Sequence, residues 1–312
     1  MIMLSWKEFT DYAAELQLKE EYVAQNKAFF EKIDPAFFDR IFQADTFDPE
    51  EIRKAFPGEE YRRFMLIMAV AGWPQMVALY KKMNFTPQML EDIKPDLGLW
   101  LDKFMADCGI AGLDMRIYGW TKALRKGSIL QFGRLQCNYD HAFYGKVACF
   151  RDADGTVRLE PCEEHNSKAL FSFGDPSINL HIPAAGPLKR ELCIDSLRKI
   201  VKFFAEYRAD FDYKAVVCYS WILDPVFTQI MKSTNLADFQ RLGHIFRMEG
   251  VDETNEIVWR VFDIPNGTPA DIDKRPHNTG MRKAVAGYLK EGGRFCEHGM
   301  VILRDELENL LK

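Results

Sequence analysis

Long hydrophobic runs are scarce in this chain of 312 residues: the longest wholly apolar windows, residues 65–73 and 215–219, fall short of a bilayer span, which takes about 20 residues. A basic excess is missing as well. Lys and Arg number 41 against 46 Asp and Glu, a net charge of −5 with both signs interspersed, so the electrostatic footprint of a nucleic-acid binder is absent. Cysteine is sparse and odd in number, seven without regular spacing, which argues against a disulfide scaffold and for reduced thiols. The first residues, Met1 to Glu8, hold no basic stretch followed by an apolar core and a small-residue cleavage site. Neither a membrane nor a nucleic acid is expected as a partner, and the expected location is the cytoplasm. No internal repeat or low-complexity tract occurs, and no Gly-x-Ser-x-Gly elbow surrounds Ser220, so nucleophilic-serine hydrolysis is weakly supported.

What is present is ample apolar material, 47% of the chain, over a length that suits two domains. Up to about residue 118 the apolar residues recur at three- and four-residue intervals, predicting helices over 6–16, 21–42, 49–56, 59–83 and 95–108. Thr86 followed by Pro87 predicts another helix start, with Phe85 stapled onto Leu90. Near Thr121 the period changes. Residues 128–138, 142–151 and 156–161 read as an antiparallel meander, with Asp152-Ala-Asp-Gly155 as a turn. A strand at 178–182, a helix from 187 to about 207 with an apolar stripe of Leu188, Leu192, Leu197, Ile200, Val201 and Phe204, and a strand at 214–219 make a βαβ unit. Beyond it the pattern predicts helices over 224–240, 256–262 and 280–289 and strands at 244–248 and 294–303. The fold class is α+β, with a helical domain over 1–123 and a mixed-sheet domain over 124–312.

The strand that breaks at Pro183 and Gly186 before the long helix is the first candidate site. Backbone amides of Ala184, Ala185, Gly186 and Leu188 at a helix start would cradle a phosphate-bearing ligand, while Pro187 donates nothing. Lys189 and Arg190 in the first turn oppose the helix dipole, so a bound anion would relieve them; the plainer alternative is a solvated strand-to-helix turn. His181, two residues before the loop, suits a general base or a ligand-orienting donor, or else a structural histidine. Tyr219 lies at the carboxyl edge of its strand, where ligands of open α/β sheets bind, and suits protonation of a leaving thiolate. Arg134 and Gln136 alternate on a strand, facing a polar cleft or solvent. Cys137, His141, Cys162 and His165 are the only metal-like constellation, but their spacing matches no compact zinc site, so no metal is expected.

Three ordered motifs carry a family resemblance: residues 118–136, Leu180-His-Ile-Pro-Ala-Ala-Gly-Pro-Leu188 with Asp195-Ser-Leu-Arg198, and Cys218-Tyr-Ser-Trp-Ile-Leu-Asp-Pro225. Together they resemble a family of bacterial acyltransferase domain-containing proteins, which pair a helical N-terminal N-acyltransferase domain with a GNAT-like C-terminal domain. The resemblance implies that residues 178–219 are the acyl-CoA-binding core, with pantetheine between two splayed parallel strands and pyrophosphate on the helix N-terminus. It implies acetyl-CoA or another acyl-CoA as co-substrate and an amine or peptide acceptor. For that chemistry the residues expected to bind the donor are Ile182, Ala184, Ala185, Gly186, Leu188, Lys189 and Arg190, with His181, or a water it orients, as base and Tyr219 as acid. The usual GNAT loop, Arg/Gln-x-x-Gly-x-Gly/Ala, is reduced here to Gly186. The rival readings are a non-catalytic acyl-CoA or nucleotide sensor on the same fold, and a scaffold whose helical half binds a protein partner.

Overall fold

The computed structural model describes residues 3–44, 46–142, 144–231 and 235–312. Residue 143 of the expected strand at 142–151, and residues 232–234 of the expected helix over 224–240, lie outside the described residues. The chain divides into two compact units, Met1–Gln131 and Phe132–Lys312.

The first unit is helical because its sequence alternates apolar stripes with strong start signals. Ser5 and Glu8 form a reciprocal capping box for the helix Trp6–Glu15, and Asp34 and Asp48 cap Pro35–Gln43 and Pro49–Ala55, each with proline at the first position. Pro87 opens Pro87–Ile93 as expected, but the Thr86 side chain makes no capping bond, and Phe85 packs edge-on against Tyr80.

Two long helices expected from periodicity are broken. The stretch 21–42 becomes Glu20–Ala24, Lys27–Phe30 and Pro35–Gln43. Buried Asn26 donates its amide to Tyr22 O and Ala111 O, a side-chain bond that competes with the helical ladder, and Pro35 can only start a helix. The stretch 59–83 becomes Glu60–Ala71 and Trp73–Lys82, parted at Gly72 just before Pro74, whose missing N–H interrupts the ladder. By length and composition Glu60–Lys82 is apolar enough to cross a membrane, yet 61% of its most apolar window is buried, where Phe64, Leu66, Ile67 and Val70 form core.

The second unit is built on sheets. Nine strands occur among the described residues: β1 Leu130–Phe132, β2 Leu135–His141, β3 Val147–Arg151, β4 Val157–Pro161, β5 Phe171–Ser172, β6 Pro176–His181, β7 Ala215–Ser220, β8 His244–Asp252 and β9 Cys296–Leu303. Six form one sheet in the order β1-β2-β6-β7-β9-β8, and three form a second in the order β4-β3-β5. The βαβ unit is present: β6 and β7 are parallel neighbours joined through the helix Arg190–Tyr207.

The meander is not. β2 pairs with β6 rather than β3, and β3 and β4 belong to the smaller sheet. The single strand expected over 128–138 is also divided, because Gly133 takes a left-handed φ of +61° and turns the chain between β1 and β2. Arg134 therefore sits in a turn instead of alternating with Gln136, which is buried in β2.

The helix Arg190–Tyr207 begins three residues later than expected. Cys193, Leu197, Ile200 and Phe204 are buried on one stripe, the spacing of a helix face set on a sheet. Leu192, expected on that stripe, is 41% exposed, and Leu188 lies outside the helix and packs instead against the core cluster that includes Phe227, Ile257 and Phe295. On the central sheet, Ala215, Val217 and Tyr219 pack with Val147, Cys149 and Phe171 of the smaller sheet. Strand alternation thus puts Asn179 and His181 on the face opposite Ile178 and Leu180, which are fully buried.

Candidate active site

The two central strands part from one another at their carboxyl ends. Parallel pairing of β6 with β7 ends at Leu180↔Cys218. Each strand then keeps its outer neighbour: His181 still pairs with Gln136 on β2, and Tyr219 and Ser220 still pair with Gly299 and His298 on β9. Beyond that pair the inner edges of the two strands no longer match, and a notch opens between them that an extended ligand can enter as an added strand would.

The loop beyond β6 is shaped from behind by Arg134. Its guanidinium donates to the carbonyls of Pro183 at 2.9 Å, Pro187 at 3.2 Å and Gly186 at 3.4 Å. Among the described residues no peptide bond is cis, and in a trans peptide the N–H points opposite to the C=O. The carbonyls of Pro183 and Pro187 turned toward Arg134 therefore aim the N–H groups of Ala184 and Leu188 away from it. Among the described residues, no backbone acceptor takes the amides of Ala184, Ala185, Gly186 or Leu188.

The helix itself begins at Arg190, with Lys189 as an extended N-cap that makes no side-chain bond. The amides of residues 184–188 are thus loop donors, not the first helical turn as the sequence reading had it, because the rigid Pro187 keeps the chain extended before it coils. The first-turn amides left for an anion are those of Arg190 and Glu191, since Leu192 and Cys193 donate to Lys189 O. Lys189 and Arg190 are exposed, and among the described residues neither enters an ion pair. Ile182 lies just beyond the end of β6, partly buried.

His181 is half-buried, and its Nε2 lies 2.6 Å from Asn138 Oδ1. Burial holds the imidazole down at about 4, well below its ordinary value, so the ring is neutral at physiological pH. An amide oxygen only accepts, so Nε2 carries the hydrogen and Nδ1 the lone pair. Beside it on β6, the Oδ1 of Asn179 is buried without a hydrogen-bond partner among the described residues.

Tyr219 donates its hydroxyl to Tyr144 O at 2.8 Å and stands edge-on to the rings of Tyr144 and Phe246; burial raises its pKa. That approach needs glycine at 145. A Cβ there would overlap the Tyr219 ring, and the backbone φ is +84°. Gly145→Ala is expected to cost about 1–3 kcal/mol of stability, read as a lower urea midpoint at unchanged slope; an unchanged midpoint would show that the two tyrosines repack freely.

Three groups near Tyr219 escaped the sequence reading because they come from separate segments. Tyr144 donates to Glu297 Oε2 at 2.7 Å, and Glu253 lies close enough to Glu297 to feel its charge. Burial, followed by that like charge, pushes the Glu253 carboxyl up to about 7, the range of a proton acceptor near neutrality.

The suggested metal ligands are not brought together. Cys137 is buried and its thiol pushed up by burial, Cys162 donates to Glu164 O, His165 meets Asp175, and His141 is exposed beside Asp140. Among the described residues no three His, Cys, Asp or Glu side chains converge as a metal site would require.

Comparison with known proteins fits this arrangement. The sequence model of the GNAT-like C-terminal domain family matches residues 129–301. The chain belongs to that family. An acyltransferase solved in complex with decanoyl-CoA superposes with a TM-score of 0.69 at 20% identity, covering 94% of this chain and 86% of that one. An acyltransferase variant in complex with octanoyl-CoA gives 0.70 at 18% identity, covering 95% and 88%. A third, in complex with decanoyl-CoA and teicoplanin, gives 0.70 at 18% identity, covering 94% and 87%. At such identities the likeness is one of fold. No curated protein matches the sequence. The expectation of a helical region followed by a GNAT-like mixed sheet is met by both the family match and the architecture.

Proposed function

We propose that this protein is an N-acyltransferase that moves an acyl group from acyl-CoA to an amine by direct attack. The observation that carries the reading is the parting of β6 and β7 after Leu180↔Cys218, followed at once by a loop whose amides face outward beside two exposed cations. An extended pantetheine arm fits the notch as an added strand would, and the diphosphate fits the amides of Ala184 and Leu188 with Lys189 and Arg190. Solved proteins of this fold hold octanoyl-CoA, decanoyl-CoA and, in one case, teicoplanin, which supports an acyl-CoA donor and an amine- or peptide-bearing acceptor here.

The amine nitrogen attacks the thioester carbon, the C–S bond breaks, one proton leaves the nitrogen and one reaches the thiolate. His181, through Nδ1 or a water it orients, takes the first proton. Tyr219 gives the second, releasing Tyr144 O as it does so. Polarisation of the thioester carbonyl falls to backbone N–H groups in the notch. The chemistry needs no metal. Seven cysteines that all remain free thiols suit a reducing compartment, and the cytoplasm is proposed as the location.

The second reading, a sensor that binds acyl-CoA without turning it over, is favoured by one observation: the Tyr219 hydroxyl is already committed to a backbone carbonyl. Calorimetry with acetyl-, octanoyl- and decanoyl-CoA, followed by turnover on an amine panel, separates the two. Binding with turnover supports the transferase, and binding without turnover on any amine supports the sensor. No binding at millimolar ligand would sink both.

A further inference from the structure

We propose that Arg134 is a positioning residue for the donor, a clamp behind the 183–187 loop that sets the direction of the diphosphate-binding amides without touching the ligand. This rests on the reading of the notch as an acyl-CoA site and deepens it.

The first support is geometric. One guanidinium reaches three carbonyls of a five-residue stretch, a use of its planar fork that a lysine cannot reproduce. Two of those carbonyls belong to peptide units whose other ends, the N–H groups of Ala184 and Leu188, are thereby turned outward. The loop contains no helical or sheet hydrogen bond that would do this for it.

The second support is how firmly the arginine is held. Its own backbone N–H and that of Leu135 both donate to Ser196 Oγ, at 2.9 and 3.3 Å, and Ser196 in turn donates to Leu192 O. Ser196 is fully buried on the helix that follows the loop. The β1–β2 turn, the loop and the first turns of the helix are thus tied through two adjacent residues, so the loop cannot shift without breaking bonds at both ends of Arg134.

The third support is charge. Arg134 is partly buried and, among the described residues, meets no carboxylate; burial lowers its pKa. A desolvated cation without a counter-ion is costly, and one that is stabilised only by carbonyl dipoles gains from an anion arriving on the far side of the same peptides. Lys189 and Arg190 offer charge at the surface, where salt screens it. Arg134 adds charge from behind the loop, where it is screened less.

The experiment uses the full chain and compares two probes that share the pantetheine arm, acetyl-CoA and S-acetylpantetheine, the second lacking the diphosphate and nucleotide. Arg134→Gln is expected to raise the Kd of acetyl-CoA at least 10-fold by calorimetry while changing that of S-acetylpantetheine less than 2-fold. Amide hydrogen exchange in residues 183–189 should rise in the variant with no ligand present. Arg134→Lys, which keeps the charge but not the fork, is expected to recover only part of the affinity. An unchanged acetyl-CoA affinity in Arg134→Gln overturns the proposal, as do equal losses for both probes, which would mark a general structural role, and full recovery by lysine, which would mark a simple cation. Failure of the unmodified protein to bind acetyl-CoA would instead overturn the reading of the site, and the clamp with it.

Discussion

Replacing His181 by Gln is expected to lower kcat by roughly 100- to 10,000-fold while leaving acyl-CoA affinity nearly unchanged, and Tyr219→Phe should act in the same range. His181 is neither enclosed by apolar side chains alone nor bonded only to backbone: its Nε2 meets a side-chain oxygen on the neighbouring strand, the arrangement that orients an imidazole for proton transfer. Its depressed pKa also makes a stability prediction with a definite sign. Between the ordinary value of 6.5 and the folded value of about 4, the unfolded chain binds a proton that the native protein does not. Stability contributed by neutral His181 is therefore lost as pH falls through that window. In His181→Gln the loss between pH 7 and pH 4 should be smaller than in the parent. If kcat per folded molecule survives in both variants and only the melting temperature drops, the two residues are structural and the proton acceptor must be sought elsewhere, with Glu253 as the next carboxyl to test.

Gly186→Asp is expected to weaken acyl-CoA binding by about 100-fold without unfolding the protein. Steric overlap is not the reason, since a Cβ at this position meets nothing within 4 Å. The backbone φ of +64° costs a non-glycine residue something, but aspartate is among those that tolerate the left-handed region best. The main effect is a carboxylate set among the amides proposed to hold the diphosphate, where like charges repel at close range. Gly186→Asn controls for it, being similar in shape and uncharged. Calorimetry should show the asparagine variant close to the parent and the aspartate variant far weaker. Equal affinities for the two would place the diphosphate away from the loop.

How much of this was legible in the sequence depends on how local the cause is. The βαβ unit was, because strand, helix and strand each carry their own periodicity. Helix starts at Pro49 and Pro87 were legible for the same reason, whereas the start at Pro35 was hidden inside an apolar period that runs on across it. Strand pairing was not. β2 turns away from β3 to lie beside β6, a choice made by long-range packing that leaves no trace in the alternation of either strand. The break at Gly133 is hidden because a glycine is also compatible with a strand, and its left-handed φ puts Arg134 in a turn and not on a strand face. The central helix starts three residues beyond the expected Pro187, a residue that suits a first helical position as well as the extended segment it occupies. Within the site, His181 and the loop were found because they adjoin one another in the chain. Asn138, Tyr144, Glu253 and Glu297 reach it from other segments, and only the fold brings them near; Arg134 stood out in the sequence as a residue facing a cleft, but its place behind the loop follows from the turn at Gly133.

Whether acyl-CoA sits at the parting of β6 and β7 is decided by a crystal structure of the protein grown with decanoyl-CoA. Pantetheine is expected between His181 and Tyr219, hydrogen-bonded to the strand backbone, with the diphosphate within about 3 Å of the Ala184 and Leu188 amides. Decanoyl-CoA bound elsewhere on the chain, with the notch closed by its own side chains, would contradict it.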